Sequence, residues 1–289
     1  MKLIAIDLDG TLLNERGLIS AENVEAIKQA QNHGNKVAIA TGRALMDVED
    51  LLHEVNLDCP IISSNGAHVL SDNNIIKSDP LSKVEAEYIL KYLEENDFYY
   101  EVTTDRAIYT PHDGKDKLAV EMDFLKSANP ELREKELWKF SKGQYRQFGI
   151  SFINNYQEVI NSDLEIYKIL AFSFHEEKRN NGWNYLKDMN GMVLVSSAIH
   201  NFELSNENAT KGNALKALSS HLTIPMEETI AIGDSGNDVS MLKVAGLSIA
   251  MGNAPSEIKN IADKVTLTND EHGVAHAIHN FLLEVTKQH

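Results

Sequence analysis

Short apolar runs that end abruptly in polar turns, separated by amphipathic helical stretches, occupy both ends of this 289-residue chain and stop in its middle. Leu3 to Leu8 is apolar and β-leaning and runs straight into Asp9, Gly10 and Thr11, the pattern of a buried strand that ends in a loop. From Ala21 to His33 the apolar positions Val24, Ile27 and Ala30 recur at helical spacing, with Ser20 as a cap and Gly34 as a stop. Lys36 to Ala40 has strand character, a helix is predicted from about Ala44 to Val55, and Pro60 to Ser63 is another short buried strand. The pattern resumes after Ala209, with a helix through Ala214 to His221, a strand Thr229 to Ile232, a helix Val239 to Ala245, a strand Leu247 to Ala250 and a closing helix. Strands alternating with helices predict a doubly wound α/β fold with a parallel sheet.

Between these stretches the texture changes. Ser82 and Glu85 have capping-box spacing ahead of a helix carrying Val84, Tyr88, Ile89 and Leu93. Phe98 to Thr104, Ala107 to Thr110, Ile166 to Phe174 and Met192 to Ala198 are rich in β-branched and aromatic residues. The expected organisation is a core from 1–81 and 200–289, interrupted by an inserted α+β domain over 82–199. The aromatic group Phe98, Tyr99, Tyr100, Tyr109, Tyr145, Trp183 and Tyr185 is expected to form the core of that insert. His272, His276 and His279 are expected to line a partly exposed face of the closing helix.

Charge and cysteine content exclude several function classes. The formal net charge of −16 repels nucleic acid and anionic membranes at long range. A single cysteine, Cys59, excludes an intramolecular disulfide and any multi-thiolate metal site. No apolar stretch approaches the ~18 residues that a membrane-spanning helix needs, and the N-terminal apolar run is too short for a secretory signal. A cytoplasmic protein, monomeric or weakly homo-oligomeric, is expected.

Asp7 and Asp9 end the first strand, where the carboxyl edge of a parallel sheet forms a ligand crevice. Asp234 and Asp238 follow a second apolar strand, with Ser235, Gly236 and Asn237 between them. Four carboxylates at one edge repel, each pair at 4 Å by ~4 kcal/mol at an effective dielectric of 20, so the cluster calls for a cation. Oxygen ligands without paired Cys or His favour Mg2+, and the carboxylate spacing of a calcium-binding EF-hand is missing. Thr41 with Gly42 at a strand end, and Lys211 with Gly212 at a helix start, suit the oxygens of a phosphate.

These residues resemble the four motifs of the haloacid dehalogenase-like hydrolases, and among them the Cof-type phosphatases with a large inserted α+β cap. Asp7-Leu8-Asp9-Gly10-Thr11-Leu12 is similar to motif one, Ala40-Thr41-Gly42-Arg43 to motif two, Lys211-Gly212 to motif three and Gly233-Asp234-Ser235-Gly236-Asn237-Asp238 to motif four. Asn65-Gly66-Ala67 and Ala250-Met251-Gly252-Asn253-Ala254 also fit the Cof-type pattern. The resemblance implies a Mg2+-dependent phosphomonoesterase acting on small phosphorylated metabolites, sugar phosphates first, through an aspartyl-phosphate. It implies Asp7 as nucleophile and Asp9 as proton donor and then base. Asp7, Asp234, the Asp9 carbonyl and, directly or through water, Asp238 are implied at the metal. Leu8 and Gly42 amides, Thr41, Lys211 and Asn237 are implied at the phosphate, and Arg43 and Asn65 at the organic part of the substrate. A sugar phosphomutase using the same aspartate pair, and a phosphometabolite-binding regulator, are the alternative readings.

Overall fold

The computed structural model describes residues 1–128, 149–196 and 200–283. By its contacts the chain forms two compact units, one of Met1–Ser78 together with the chain from Asn208, the other of Asp79–Glu207.

The first unit contains β1 (Leu3–Ile6), α1 (Ala21–Asn32), β2 (Lys36–Ala40), α2 (Leu45–Glu54), β3 (Ile61–Ser63), β4 (His68–Ser71) and β5 (Asn74–Ser78) before the insertion. The second unit supplies α3 (Lys83–Glu95), β6 (Tyr99–Thr104), β7 (Ile108–Pro111), α4 (Gly114–Ala128), β8 (Ile150–Ile153), α5 (Gln157–Ile160), β9 (Ile166–Phe172), α6 (Glu176–Leu186), β10 (Met192–Val195) and β11 (Asn201–Asn206). The first unit then resumes with α7 (Lys211–His221), β12 (Thr229–Gly233), α8 (Val239–Val244), β13 (Leu247–Ala250), α9 (Ser256–Ile261), β14 (Lys264–Val265) and α10 (Gly273–Ile278).

Among the described residues, the strands of the first unit form one sheet in the order β14-β13-β12-β1-β2-β3-β4-β5. Pairing is parallel from β14 to β3, with Leu3 opposite both Thr229 and Lys36. β1 reads Leu-Ile-Ala-Ile because it is the central strand; all four side chains are wholly buried, and a strand covered on both faces has no polar side. Strand order reverses on either side of β1, between β12 and β2, and in open α/β sheets ligands bind at such a switch point beyond the carboxyl ends of the strands. The α/β fold with a parallel sheet and an inserted second sheet is as expected. The hairpin of β4 and β5, antiparallel to β3, was not expected from the sequence. Its turn uses Asp72 and Asn73 at φ 49° and 61°, two residue types that accept the left-handed backbone a two-residue hairpin requires.

The ends of α1 and α10 are joined by a buried amide. Asn23 donates from Nδ2 to the Leu12 carbonyl at 3.3 Å and accepts at Oδ1 from the Ala275 amide at 3.0 Å. It is 1% exposed, so the hydrogen bonds offset the cost of burying it. Of the predicted histidine stripe, His276 lies within α10 and His279 at its end, both at least partly exposed, but His272 falls outside the helix. His272 precedes α10 with a left-handed backbone (φ 58°), after a Thr268–Glu271 capping box. Its Nδ1 lies 2.9 Å from Ser20 Oγ, whereas His276 Nδ1 lies 2.9 Å from Thr266 Oγ1.

In the second unit the order is β10-β11-β9-β6-β7-β8, antiparallel except between β7 and β8. The Ser82–Glu85 capping box opens α3. Residues Ile89, Leu90 and Leu93 of α3 meet Phe98, Tyr100, Phe202 and Leu204 in one core, while Tyr99, Phe172 and Phe174 cluster with Leu118 and Met122 of α4. Phe98, Tyr99 and Tyr100 are core residues as expected, but Tyr185 is half exposed and stacks on Tyr92 at 4.1 Å between ring centroids. Tyr145, and the end of the strand expected to reach Ala198, lie outside the described residues.

At the unit boundary, Lys77 Nζ donates to the Gly66 carbonyl at 2.8 Å and to the Asn208 carbonyl at 3.2 Å. This ammonium ties the strand leaving the first unit to the segment returning to it. Among the described residues no helix is long and apolar enough to cross a membrane.

Replacing Asn23 with Ala strips a buried amide and a buried carbonyl of their partner. Urea denaturation is expected to show a loss of about 3 kcal/mol, from ~1–3 kcal/mol per unsatisfied group.

Candidate active site

The predicted site residues lie past the carboxyl ends of β1, β2, β3 and β12 and at the start of α7. Asp7 directly follows β1, where its amide continues the parallel ladder by donating to the Ile232 carbonyl at 2.9 Å. The chain then turns tightly, with the Leu12 amide on the Asp7 carbonyl and the Leu13 amide on the Leu8 carbonyl. Gly10 makes this turn with φ 80°, and a Cβ there would lie 2.5 Å from Asp234 Oδ2. Only glycine allows both that backbone and that approach.

Lys211 opens α7 with its side chain wholly buried, its Nζ 2.6 Å from Asp7 Oδ1 and 2.7 Å from Asp238 Oδ1. Burial opposes its charge, but Asp238 and Asp7 outweigh that and hold the ammonium above the usual lysine range. Asp238 Oδ2 accepts from the amides of Asp234 and Ser235 at 2.9 and 3.0 Å. Both its oxygens are therefore engaged in holding the loop after β12 against Lys211. Burial pushes the Asp7 carboxyl up to about 8, with Asp238 and Asp234 adding to the rise and Lys211 opposing it. Asp234 is pushed up to about 6, by burial and then by Asp238.

Carboxylate oxygens of Asp7, Asp234 and Asp238 all lie within 4.8 Å of one another. Asp7 Oδ2 is buried and, among the described residues, no N–H or O–H group donates a hydrogen bond to it. A buried carboxylate oxygen without a donor, beside a second acidic side chain, fits a hard cation, which would offset the burial and repulsion that raise both groups.

Thr41 follows β2, 1% exposed, and its Oγ1 accepts from the Arg43 amide at 3.1 Å. A Cβ on Gly42 would lie 2.8 Å from Asn65 Oδ1. Asn65 sits after β3 in a turn whose three residues, Ser64, Asn65 and Gly66, have φ of 49°, 58° and 99°. Its Oδ1 accepts from Asn237 Nδ2 at 3.1 Å, which joins the loops after β3 and β12. Asp9 stands apart from the three-aspartate cluster, its side chain 57% exposed and gripped by Arg43. Burial opposes the Arg43 charge, but its hydrogen bonds to Asp9 and the charges of Asp9 and Asp47 raise it.

Two residues without a role in the sequence reading brace the first loop. Asn253 Nδ2 donates to the Gly10 carbonyl at 2.8 Å, and its Oδ1 accepts from the Asn269 amide at 3.0 Å. Asn269 Nδ2 donates to the Leu13 carbonyl at 2.9 Å. Asn253 stood in the sequence only as part of the Ala250–Ala254 stretch that fits the Cof-type pattern, with no role given to it; its place just beyond β13, at the same sheet edge as the motifs, was the further signal.

The model of one protein family, haloacid dehalogenase-like hydrolase, matches residues 4–278. The chain belongs to this family. Haloacid dehalogenase-like hydrolases use a divalent metal, consistent with the aspartate cluster. Phosphatase YwpJ of Bacillus subtilis is 48% identical over 285 residues, spanning 98% of this chain and 100% of its own. The 5-amino-6-(5-phospho-D-ribitylamino)uracil phosphatase YwtE of the same organism is 44% identical over 283 residues, 98% of each chain. A solved haloacid dehalogenase-like hydrolase from B. subtilis superposes with a TM-score of 0.84 at 48% identity, covering 98% of this chain and 100% of that one. This haloacid dehalogenase-like hydrolase is a phosphatase of the Cof type.

The raised Asp7 gives a pH dependence to the metal-free protein. Between 3.8, its ordinary value, and about 8 the native metal-free site is expected to bind more protons than the unfolded chain does. In chelator, stability is therefore expected to be greatest towards the acid end of that window and to fall as pH rises through about 8. Thermal melts from pH 5 to 9 check this, and Asp7→Asn is expected to flatten the slope.

Proposed function

We propose that this phosphatase hydrolyses small soluble phosphomonoesters, with Mg2+ as its metal and Asp7 as its nucleophile. The observation that carries the reading is the buried Lys211 ammonium between Asp7 and Asp238, beside an Asp7 oxygen to which no N–H or O–H group of the described residues donates. In this reading Lys211 orients Asp7 and offsets negative charge as a phosphoryl group arrives.

Asp7 attacks phosphorus, forming the Asp7–P bond as the P–O ester bond breaks. The ester electron pair leaves with the alcohol oxygen, which takes the proton of the Asp9 carboxyl. Asp9 then removes a proton from water, whose oxygen attacks the aspartyl-phosphate and releases inorganic phosphate and free Asp7. Thr41, the amides of Leu8 and Gly42, and Asn237 hold the phosphoryl oxygens, while Asn65 faces the organic part. Asp7, Asp234 and the Asp9 carbonyl would hold Mg2+, with Asp238 acting through water or by fixing the Asp234 loop. When bound, the metal would neutralise phosphoryl charge and align the ester with Asp7.

The unit of Asp79–Glu207 is proposed to select the organic group and exclude water, and the other unit to carry the chemistry. Sugar phosphates head the substrate list, and the name of YwtE adds a ribityl phosphate to it. The charge of −16 supports small metabolites rather than nucleic acid or membranes as partners, and a cytoplasmic location belongs to the same proposal.

Phosphate release from a panel of sugar, ribityl, nucleotide and cofactor phosphates tests the reading. Activity is expected to need Mg2+, to vanish in chelator, and to fall at least ~10³-fold in Asp7→Asn, the scale of losing a covalent nucleophile. Full activity in that variant would sink the mechanism.

A further inference from the structure

The side chain of Arg43 is committed on two sides. Its Nε donates to Asp9 Oδ2 at 2.8 Å and its Nη2 to Asp9 Oδ1 at 2.6 Å. Its Nη1 lies 3.7 Å from Asp47 Oδ2, one helical turn further on, in the first turn of α2. The two carboxylates differ sharply: the Asp47 side chain is 4% exposed and that of Asp9 57%. The Arg43 backbone is also held, its amide on Thr41 Oγ1 at 3.1 Å and its carbonyl on the Ser64 amide at 2.8 Å. The arginine is thus anchored at its root by the loops after β2 and β3, steadied by a buried carboxylate and pointed at a solvent-facing one.

An exposed single salt bridge contributes little, because two long side chains lose entropy for a screened attraction. This pair differs in geometry. A guanidinium meeting a carboxylate through two parallel N–H donors fixes the orientation of the acid as well as its distance. We infer that Arg43, steadied by Asp47, is the positioning residue that fixes the Asp9 carboxyl for proton transfer to the leaving oxygen, rather than a residue that binds the organic part of the substrate. The inference rests on the proposed role of Asp9 as proton donor.

The grip leaves room for that role. A carboxyl group has about four lone-pair sites, of which the fork takes two. Asp9 can hold or accept a proton on its open side while Arg43 keeps it in place. Lysine retains the charge but is a point donor that cannot span both oxygens, so Arg43→Lys separates orientation from electrostatics.

The test compares kcat/KM, which reports events up to departure of the alcohol, for two esters. One is the best sugar phosphate of the panel, whose leaving oxygen needs a proton. The other is p-nitrophenyl phosphate, whose leaving group departs without one. Arg43→Lys is expected to lower kcat/KM about 10²-fold on the sugar phosphate, the lower end for general acid catalysis, and less than about threefold on the aryl ester. Asp47→Asn should move both values in the same direction by smaller factors. Joined to Asp9→Asn, the Arg43→Lys change should cause no further loss on the sugar phosphate, since both act through one group. Free guanidinium should restore activity to Arg43→Ala, which a general loss of packing would not allow.

Equal losses on the two esters, arising through a higher KM, would assign Arg43 to substrate binding and overturn the inference. A sugar-phosphate loss in Arg43→Lys that adds in full to that of Asp9→Asn would overturn it too. If Asp9→Asn alone fails to discriminate between the esters, Asp9 is not the proton donor and the underlying reading falls first.

Discussion

A wholly buried ammonium is the constraint around which this site is built. The Lys211 side chain is wholly shielded from bulk solvent, and such a charge is tolerated only where anions replace the lost hydration. Asp7 and Asp238 meet it at hydrogen-bond distance. Satisfying Lys211 thus brings the end of β1, the start of α7 and the loop after β12 to one point. It also leaves the carboxylates outnumbering their cation, since Asp234 lies beside the pair. The same arrangement that settles the lysine creates the deficit of positive charge that a divalent metal meets.

Around this centre the loops are braced chiefly by amides. Asn253 holds the turn at Gly10, Asn269 holds Leu13, and Asn65 joins Asn237. An asparagine can donate and accept at once without adding charge, which suits a neighbourhood already crowded with carboxylates. Arg43 is the exception, and its charge is spent on Asp9 and Asp47.

The strands and helices around the motifs were legible because residues there do one job at a time. β1 reads as apolar because it is central, and the aspartates stand out because they follow it directly. Ser82 and Glu85 announced α3 because both halves of the capping box form. What escaped depends on partners distant in sequence. The β4–β5 hairpin turns on Asp72 and Asn73, a pair without the glycine that usually marks such a turn. The histidine stripe assumed one unbroken helix, whereas the left-handed backbone at His272 delays α10 to Gly273. The grip of Arg43 on Asp9 was invisible because neighbouring loops meet only once β1 and β2 lie side by side.

The Lys77 tie has a consequence for how such a protein can diversify. A single ammonium reaches the carbonyl of Asn208 from β5, the last strand before the boundary, so the two places where the insertion leaves and rejoins the sheet-bearing unit lie within about one lysine side chain of each other. A segment whose ends are that close is interchangeable at the level of the gene. One coding block can replace another of different length without moving a strand of the sheet.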